Sequence, residues 1–399
     1  MSPSGGLGGA ERSLLGCVLS LRRAEPSWSL RVLSFSEGAL VERFAEAGVH
    51  VEVLPLPEVV GQIGEAGARQ ALRPRALAAS ARFAARLRRT LAAHRPDVVH
   101  TNGVKAHLLA PAVAPLRRRV VWHVRDFVGE RRVARTGLGA LRRSAAGAIA
   151  NSHAVARDLS AVAPGLPTRT VHNAIDLHRF RPGPPDPALV PPGAEGAVRV
   201  GLVSTFARWK GHALFLDAAA RLKERFGPEA LRFVIVGGPI YATAGSQWSR
   251  EELAAEVRAR GLEAYVHFAG FVDAPERAYR SLDVVVHAST RPEPFGRVIV
   301  EAMACARPVV VSAEGGASEL FEHGVQALGF TPRDPRSLAD AIASLAEDPE
   351  RRQALAEAGR RHAHARFGDA RLGPELVDAY AAFGLAAPPA ALRGATPRA

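Results

Sequence analysis

Lysine is nearly missing from this chain of 399 residues: Lys105, Lys210 and Lys223 stand among 52 basic side chains, and the rest are arginine. An arginine-rich coding bias explains the ratio and makes each retained lysine informative. Cysteine is as scarce. Cys17 and Cys305 lie too far apart in sequence to suggest a metal-ligand spacing, which excludes a cysteine-rich scaffold and fits a reduced cytosolic protein. No Asp-X-Asp occurs, and no His/Cys cluster has ligand spacing, so no metal is expected. No uncharged apolar run reaches the length of a bilayer-spanning helix, and no signal-peptide pattern opens the sequence. Aromatic residues do not interleave with the arginine clusters, which gives nucleic-acid binding little support.

What is present is ample apolar material, 47% of the residues, and a net charge of +13. The charge is one-sided. Residues 1–195 carry 27 basic and 15 acidic side chains, and residues 196–399 carry 25 and 24. A coding bias does not explain that asymmetry, which favours anionic partners: nucleic acid, an anionic membrane surface or a phosphorylated substrate.

Apolar runs alternate with helical patterns in both halves. Strands are expected at residues 30–35, 49–54, 97–100, 120–123 and 148–150, with an amphipathic, basic-faced helix over 76–91. The stretch Arg181-Pro-Gly-Pro-Pro-Asp-Pro-Ala-Leu-Val-Pro-Pro-Gly193 reads as a stiff hinge. A second series of strands follows at 198–203, 233–236, 266–268, 284–287 and 308–311. The pattern predicts two doubly wound, Rossmann-like α/β domains facing a cleft: 1–182, a linker at 183–197, and 198–385, with a disordered tail at 386–399. The glycine-rich loop Gly5-Gly-Leu-Gly-Gly9 opens a helix over 13–21, yet only four residues precede it. The first strand of the N-terminal domain is therefore expected to be missing, as in a chain that starts downstream of its natural beginning.

The most telling phrase is Arg291-Pro-Glu-Pro-Phe-Gly-Arg-Val-Ile-Val-Glu-Ala-Met303. It follows a buried strand and runs into a helix. Glu293 is placed at the strand's carboxyl end and Glu301 on the helix, with the amides of Phe295, Gly296 and Arg297 between them. Ligands of open α/β sheets bind at such an edge, where helix amides attract phosphate. Two acids there can hold sugar and ribose hydroxyls; a solvated helix face with an acid near its N-terminus gives the same spacing. Lys210, before Gly211 at a helix entrance, can hold diphosphate with help from Arg208, or be a surface lysine before a turn. The pair Gly315-Gly316 suits a phosphate loop or a plain turn. His123 and Asp126 at one strand end, and His100, Asn102 and Lys105 at the next, can face a ligand or serve the core.

Together these segments resemble glycosyltransferase family 4, retaining enzymes of the GT-B architecture. The resemblance runs in order through Gly8-Gly-Ala-Glu-Arg12, Pro96-Asp-Val-Val-His-Thr-Asn102, Ala150-Asn-Ser-His-Ala154, Asn173-Ala-Ile-Asp176, Arg208-Trp-Lys-Gly211, Val236-Gly-Gly238, Phe268-Ala-Gly270, Glu293 to Met303, and Gly315-Gly316. It implies a UDP- or GDP-sugar donor held by the C-terminal domain and a glycan, lipid-linked or small-molecule acceptor held by the N-terminal one. By the same resemblance Glu293 would contact the transferred sugar and Glu301 the donor ribose. Lys210 and the amides of Phe295–Arg297 would hold the diphosphate, His123 would sit over the sugar, and Gly8-Gly9 would close near phosphate and acceptor. The family often has an arginine five residues before the motif lysine; here Thr205 stands there, and Arg208 is the candidate substitute.

The expected activity is metal-independent sugar transfer with retention, in the cytoplasm or peripherally at the inner membrane face. A nucleotide-sugar epimerase of the same two-domain plan is the alternative.

Overall fold

The computed structural model describes residues 1–6, 8–58, 74–112, 119–239 and 245–385; the expected tail at 386–399 lies outside them. The chain forms two compact units, Met1–Ala174 with the segment from Asp369 onward, and Ile175–Gly368.

In unit 1 the elements are α1 (Gly9–Ala24), β1 (Arg31–Ser34), α2 (Ala39–Glu46), β2 (His50–Val53), α3 (Pro74–His94), β3 (Val99–Asn102), α4 (Val104–Ala112), β4 (Val120–Val124), α5 (Arg132–Leu141), β5 (Ala145–Ala150), α6 (His153–Val162) and β6 (Thr168–Thr170). In unit 2 they are β7 (Val198–Val203), α7 (His212–Leu222), β8 (Leu231–Val236), α8 (Arg250–Ala259), β9 (Val266–Gly270), α9 (Pro275–Arg280), β10 (Val284–His287), α10 (Arg297–Ala304), β11 (Val309–Ser312), β12 (Leu328–Phe330), α11 (Pro335–Glu347) and α12 (Pro349–Phe367). The chain then returns to unit 1 as α13 (Leu372–Ala382).

All strand pairing is parallel. Unit 1 holds a two-stranded sheet, β1-β2, and a four-stranded sheet, β3-β4-β5-β6. Met1 and Ser2 stand between them. The Ser2 amide donates to Leu33 O at 2.9 Å and Phe35 N donates to Ser2 O at 3.0 Å, while Asn102 N donates to Met1 O at 2.9 Å. As expected, no strand is formed before α1; an isolated parallel bridge of Ser2 with Ser34 stands there instead.

The inner face of α3 buries Phe83, Leu87 and Leu91, spaced four apart, among Trp122 and Leu138. On the opposite face of the sheet, Cys17 and Leu21 of α1 pack with Leu376 and Tyr380 of α13. Gly373 permits this approach, since a Cβ there would lie 2.3 Å from Ser20 O.

Unit 2 has one six-stranded sheet, β12-β11-β10-β7-β8-β9, the order of a doubly wound nucleotide-binding fold. Val200, Leu202 and Val286 face one layer, with Phe215 and Phe233; Val203, Val285 and Val311 face the other, with Ile299 and Met303.

Two domain expectations need correction. The boundary falls between Ala174 and Ile175, and the proline-rich stretch belongs to unit 2. That stretch is strapped to α9: Arg280 Nε donates to Arg181 O at 2.9 Å, Ser281 Oγ accepts from Asp186 N at 2.9 Å, and Arg277 pairs with Asp186. Its prolines fix φ but leave carbonyls to accept, so it packs instead of hinging. The second correction is that residues after Gly368 join unit 1 rather than ending the C-terminal domain.

Candidate functional site

In unit 2 the strand order reverses between β7 and β10, and the loops leaving their carboxyl ends are laced together there. Thr290 N donates to Trp209 O at 2.8 Å, joining the loop after β10 to the loop after β7. Gly211 is left-handed at φ +79°, and a Cβ on it would lie 1.9 Å from Ala288 O. Only glycine lets the Lys210 turn press this close to the β10 exit. The loop after β11 closes the third side. Gly316 N donates to Glu293 O at 2.7 Å, and a Cβ on Gly315 (φ +71°) would meet Glu293 N at 2.9 Å. Gly315 and Gly316 are therefore the backbone cradle of Glu293.

The Glu293 side chain is 8% exposed. Its Oε2 takes bonds from Lys210 Nζ at 2.7 Å and Ser289 Oγ at 2.7 Å, and His287 Nε2 lies 3.1 Å away. Burial pushes this carboxyl up, but the Lys210 ammonium and the His287 contact outweigh it and hold the group well below the usual carboxylate range. Lys210 also lies over the Trp209 ring, 3.9 Å from its centroid. The two charged groups named from sequence are thus brought together as one pair, Glu293 buried and Lys210 half-buried, with a hydroxyl and an imidazole that the sequence did not single out.

Gly296, left-handed at φ +95°, caps α10 and turns the amides of its first turn toward this edge. Phe295 is buried against Phe367, so its part in the site is its backbone. Glu301, one turn on, is 6% exposed; Arg297 Nε bonds its Oε1 at 3.1 Å and Tyr279 Oη donates to its Oε2 at 2.9 Å. Arg208 is engaged elsewhere. Its guanidinium stacks on Trp248 at 3.9 Å and bonds Glu252 at 2.8 Å.

Unit 1 places its candidates at the carboxyl ends of β3 and β4 and at the start of α1. Gly8 is the N-cap of α1, and a Cβ on Gly9 would meet nothing within 4 Å. His123 is 1% exposed. Its Nδ1 lies 3.0 Å from His100 Nε2 and 3.1 Å from Arg125 Nη2, and its Nε2 is buried without a partner. His100 Nδ1 in turn meets Tyr380 Oη at 2.7 Å, and Arg125 Nε donates to Asn102 Oδ1 at 2.6 Å. Burial and the Arg125 charge keep both histidines well below their ordinary value, and hence neutral. Asp126 pairs with Arg131.

Residues 193–362 match the family described as Glycosyl transferases group 1, and residues 38–179 match Glycosyltransferase Family 4. The chain therefore carries two glycosyltransferase domains, one matched by each model. It is 34% identical over 242 residues to the D-inositol 3-phosphate glycosyltransferase of Thermobispora bispora, a match covering 58% of this chain and 55% of that protein. The chain thus spans about half the length of the curated relatives it matches. In solved structures it is similar to Anabaena HepE in complex with UDP and glucose, at 27% identity and TM-score 0.76, over 95% of this chain and 97% of that one. Sucrose-phosphate synthase from Thermosynechococcus elongatus shares the fold at 21% identity and TM-score 0.77, over 96% of each chain. The architecture is GT-B.

Three neighbours of the candidate site were not legible as motif residues: His287, Ser289 and Tyr279. His287 read only as the last residue of a buried strand. A polar pair at 287 and 289, alternating out of an apolar run, is the signal that could have found two of them. Thr205, standing where the family often has arginine, is half-buried on the loop after β7.

Proposed function

We propose that this glycosyltransferase moves a hexose from a UDP-sugar to a phosphorylated or lipid-linked acceptor, with retention and without a bound metal. The observation that carries the reading is the part-buried Lys210–Glu293 pair at the switch point of unit 2, with Glu301 eight residues further on, within α10. Lys210 and the α10 amides suit the diphosphate, Glu293 the transferred sugar, and Glu301 the ribose. UDP is favoured over GDP because HepE, similar over nearly the whole chain, holds UDP with glucose. An anionic acceptor suits the excess of 27 basic over 15 acidic side chains in residues 1–195, and the relatives named for inositol 3-phosphate point the same way.

The chemistry asks little covalent work of the protein. Diphosphate leaves on the face that the acceptor attacks, and a leaving phosphate oxygen takes the acceptor proton. Donor diphosphate draws Lys210 from Glu293 and frees that carboxylate for sugar hydroxyls. Lys210 and the helix amides then stabilise the charge as it develops. His123 Nε2, neutral and unpartnered, is the unit 1 group suited to meet a sugar oxygen.

The sequence offers no Asp-X-Asp to hold a cation against diphosphate, and this supports metal independence. The place of action proposed is the cytoplasm, with peripheral contact at anionic membrane through α3. Among the described residues no helix is long and apolar enough to cross a membrane.

A donor screen reading released nucleoside diphosphate, with mixed acceptors, tests the reading. UDP-hexose should turn over, and Glu293→Ala should lower kcat by about 100-fold or more. Unchanged turnover of that variant at saturating donor would remove Glu293 from the chemistry, and an inverted anomeric centre by NMR would refute retention. Conversion of donor to its epimer without acceptor would favour the epimerase.

A further inference from the structure

Tyr279 lies outside every motif the sequence displays. It sits on α9, is 1% exposed, and its ring packs by Phe180 with centroids 6.2 Å apart. Its one side-chain polar atom donates to Glu301 Oε2 at 2.9 Å. The other oxygen, Oε1, receives Arg297 Nε at 3.1 Å and Nη2 at 2.9 Å. The two oxygens of Glu301 are therefore addressed from two different helices, and the carboxylate cannot turn about its last torsion without breaking one contact.

We propose that Tyr279 is a positioning residue for the donor: it sets the plane of the Glu301 carboxylate that receives the ribose hydroxyls. This rests on the reading of Glu301 given above. Two vicinal hydroxyls need acceptor lone pairs at fixed places, and a carboxylate already held in plane loses no rotational freedom on binding them. Burial, and then the Glu301 charge, push the Tyr279 hydroxyl well above its ordinary value. It therefore remains a donor at any pH the enzyme meets. Packing alone would be served by phenylalanine, so the hydroxyl is what the proposal explains.

The test uses the full chain and two probes, UDP and 2′,3′-dideoxy-UDP, with affinities read by titration calorimetry. Wild type should prefer UDP by roughly tenfold or more. Tyr279→Phe should bring that preference down several-fold, by weakening UDP while leaving the dideoxy probe unchanged. In a Glu301→Ala background the same substitution should change neither. Equal weakening of both probes, or no change in either, would assign Tyr279 to the core and overturn the proposal. A wild-type preference near one would instead overturn Glu301 as the ribose ligand, and the proposal with it. If Tyr279→Phe fails to fold, Tyr279→Met fills the same space without a donor and gives the same readout.

Discussion

At the residue scale, Gly211 bears most directly on the site. Its left-handed φ of +79° and the 1.9 Å approach that a Cβ would make to Ala288 O are two separate reasons for glycine. Gly324, at φ +80° with nothing near a Cβ, has only the first. Gly211→Ala should therefore destabilise unit 2 by about 2 kcal/mol or more, and Gly324→Ala by only about 1 kcal/mol. Urea titration of the two variants checks the difference, and equal losses would show that the close approach contributes nothing. Gly211→Ala should also raise the donor KM, because the turn it carries holds Lys210 against Glu293.

At the scale of elements, α3 shows how charge and packing divide a helix. Phe83, Leu87 and Leu91 fill the core, while Arg75, Arg82, Arg86 and Arg89 form an exposed row on another face at helical spacing. Residues 74–96 contain no acid, whereas exposed arginines of unit 2 such as Arg208, Arg225 and Arg333 pair with Glu252, Glu347 and Glu314. An unpaired row suits an anionic lipid surface, at about 1 kcal/mol per arginine. Replacing Arg82, Arg86 and Arg89 with glutamine should lower binding to vesicles containing anionic lipid by roughly 100-fold in low salt, with neutral vesicles unaffected. Co-sedimentation reads this, and undiminished binding would refute the α3 surface.

The same elements show what the sequence could and could not disclose. The inner strands of the four- and six-stranded sheets are mostly apolar, and each was legible near its observed place. The short strands β6 and β12 were not: Thr-Arg-Thr and Leu-Gly-Phe have no run to read, and pairing with a neighbour makes them strands. Lys210 and Glu293 were legible as candidate site residues because their loops carry glycines at set places. Their mutual contact was not, since it depends on β7 and β10 being adjacent. Arg208 read in sequence as an assistant to Lys210, and only Trp248 on the loop before α8 and Glu252 on α8 itself decide its partner.

At the scale of the whole molecule, unit 1 is assembled from both ends of the chain. Leu372, Leu376 and Tyr380 of α13 cover Cys17, Leu21 and Ile149, and Gly373 N donates to Ser20 Oγ at 2.9 Å. A chain stopped after Gly368 would bare this apolar face while leaving unit 2 whole. Hydrogen exchange should then show lost protection in α1 and β5 but unchanged protection across β7 to β12; protection retained in α1 would refute the dependence. Ordered synthesis gives the same feature a meaning in time. The ribosome delivers all of unit 2 before the last helix of unit 1, so unit 2 can finish folding first. The earlier-made segment must wait with α1 uncovered, exposed to chaperone capture, until α13 emerges.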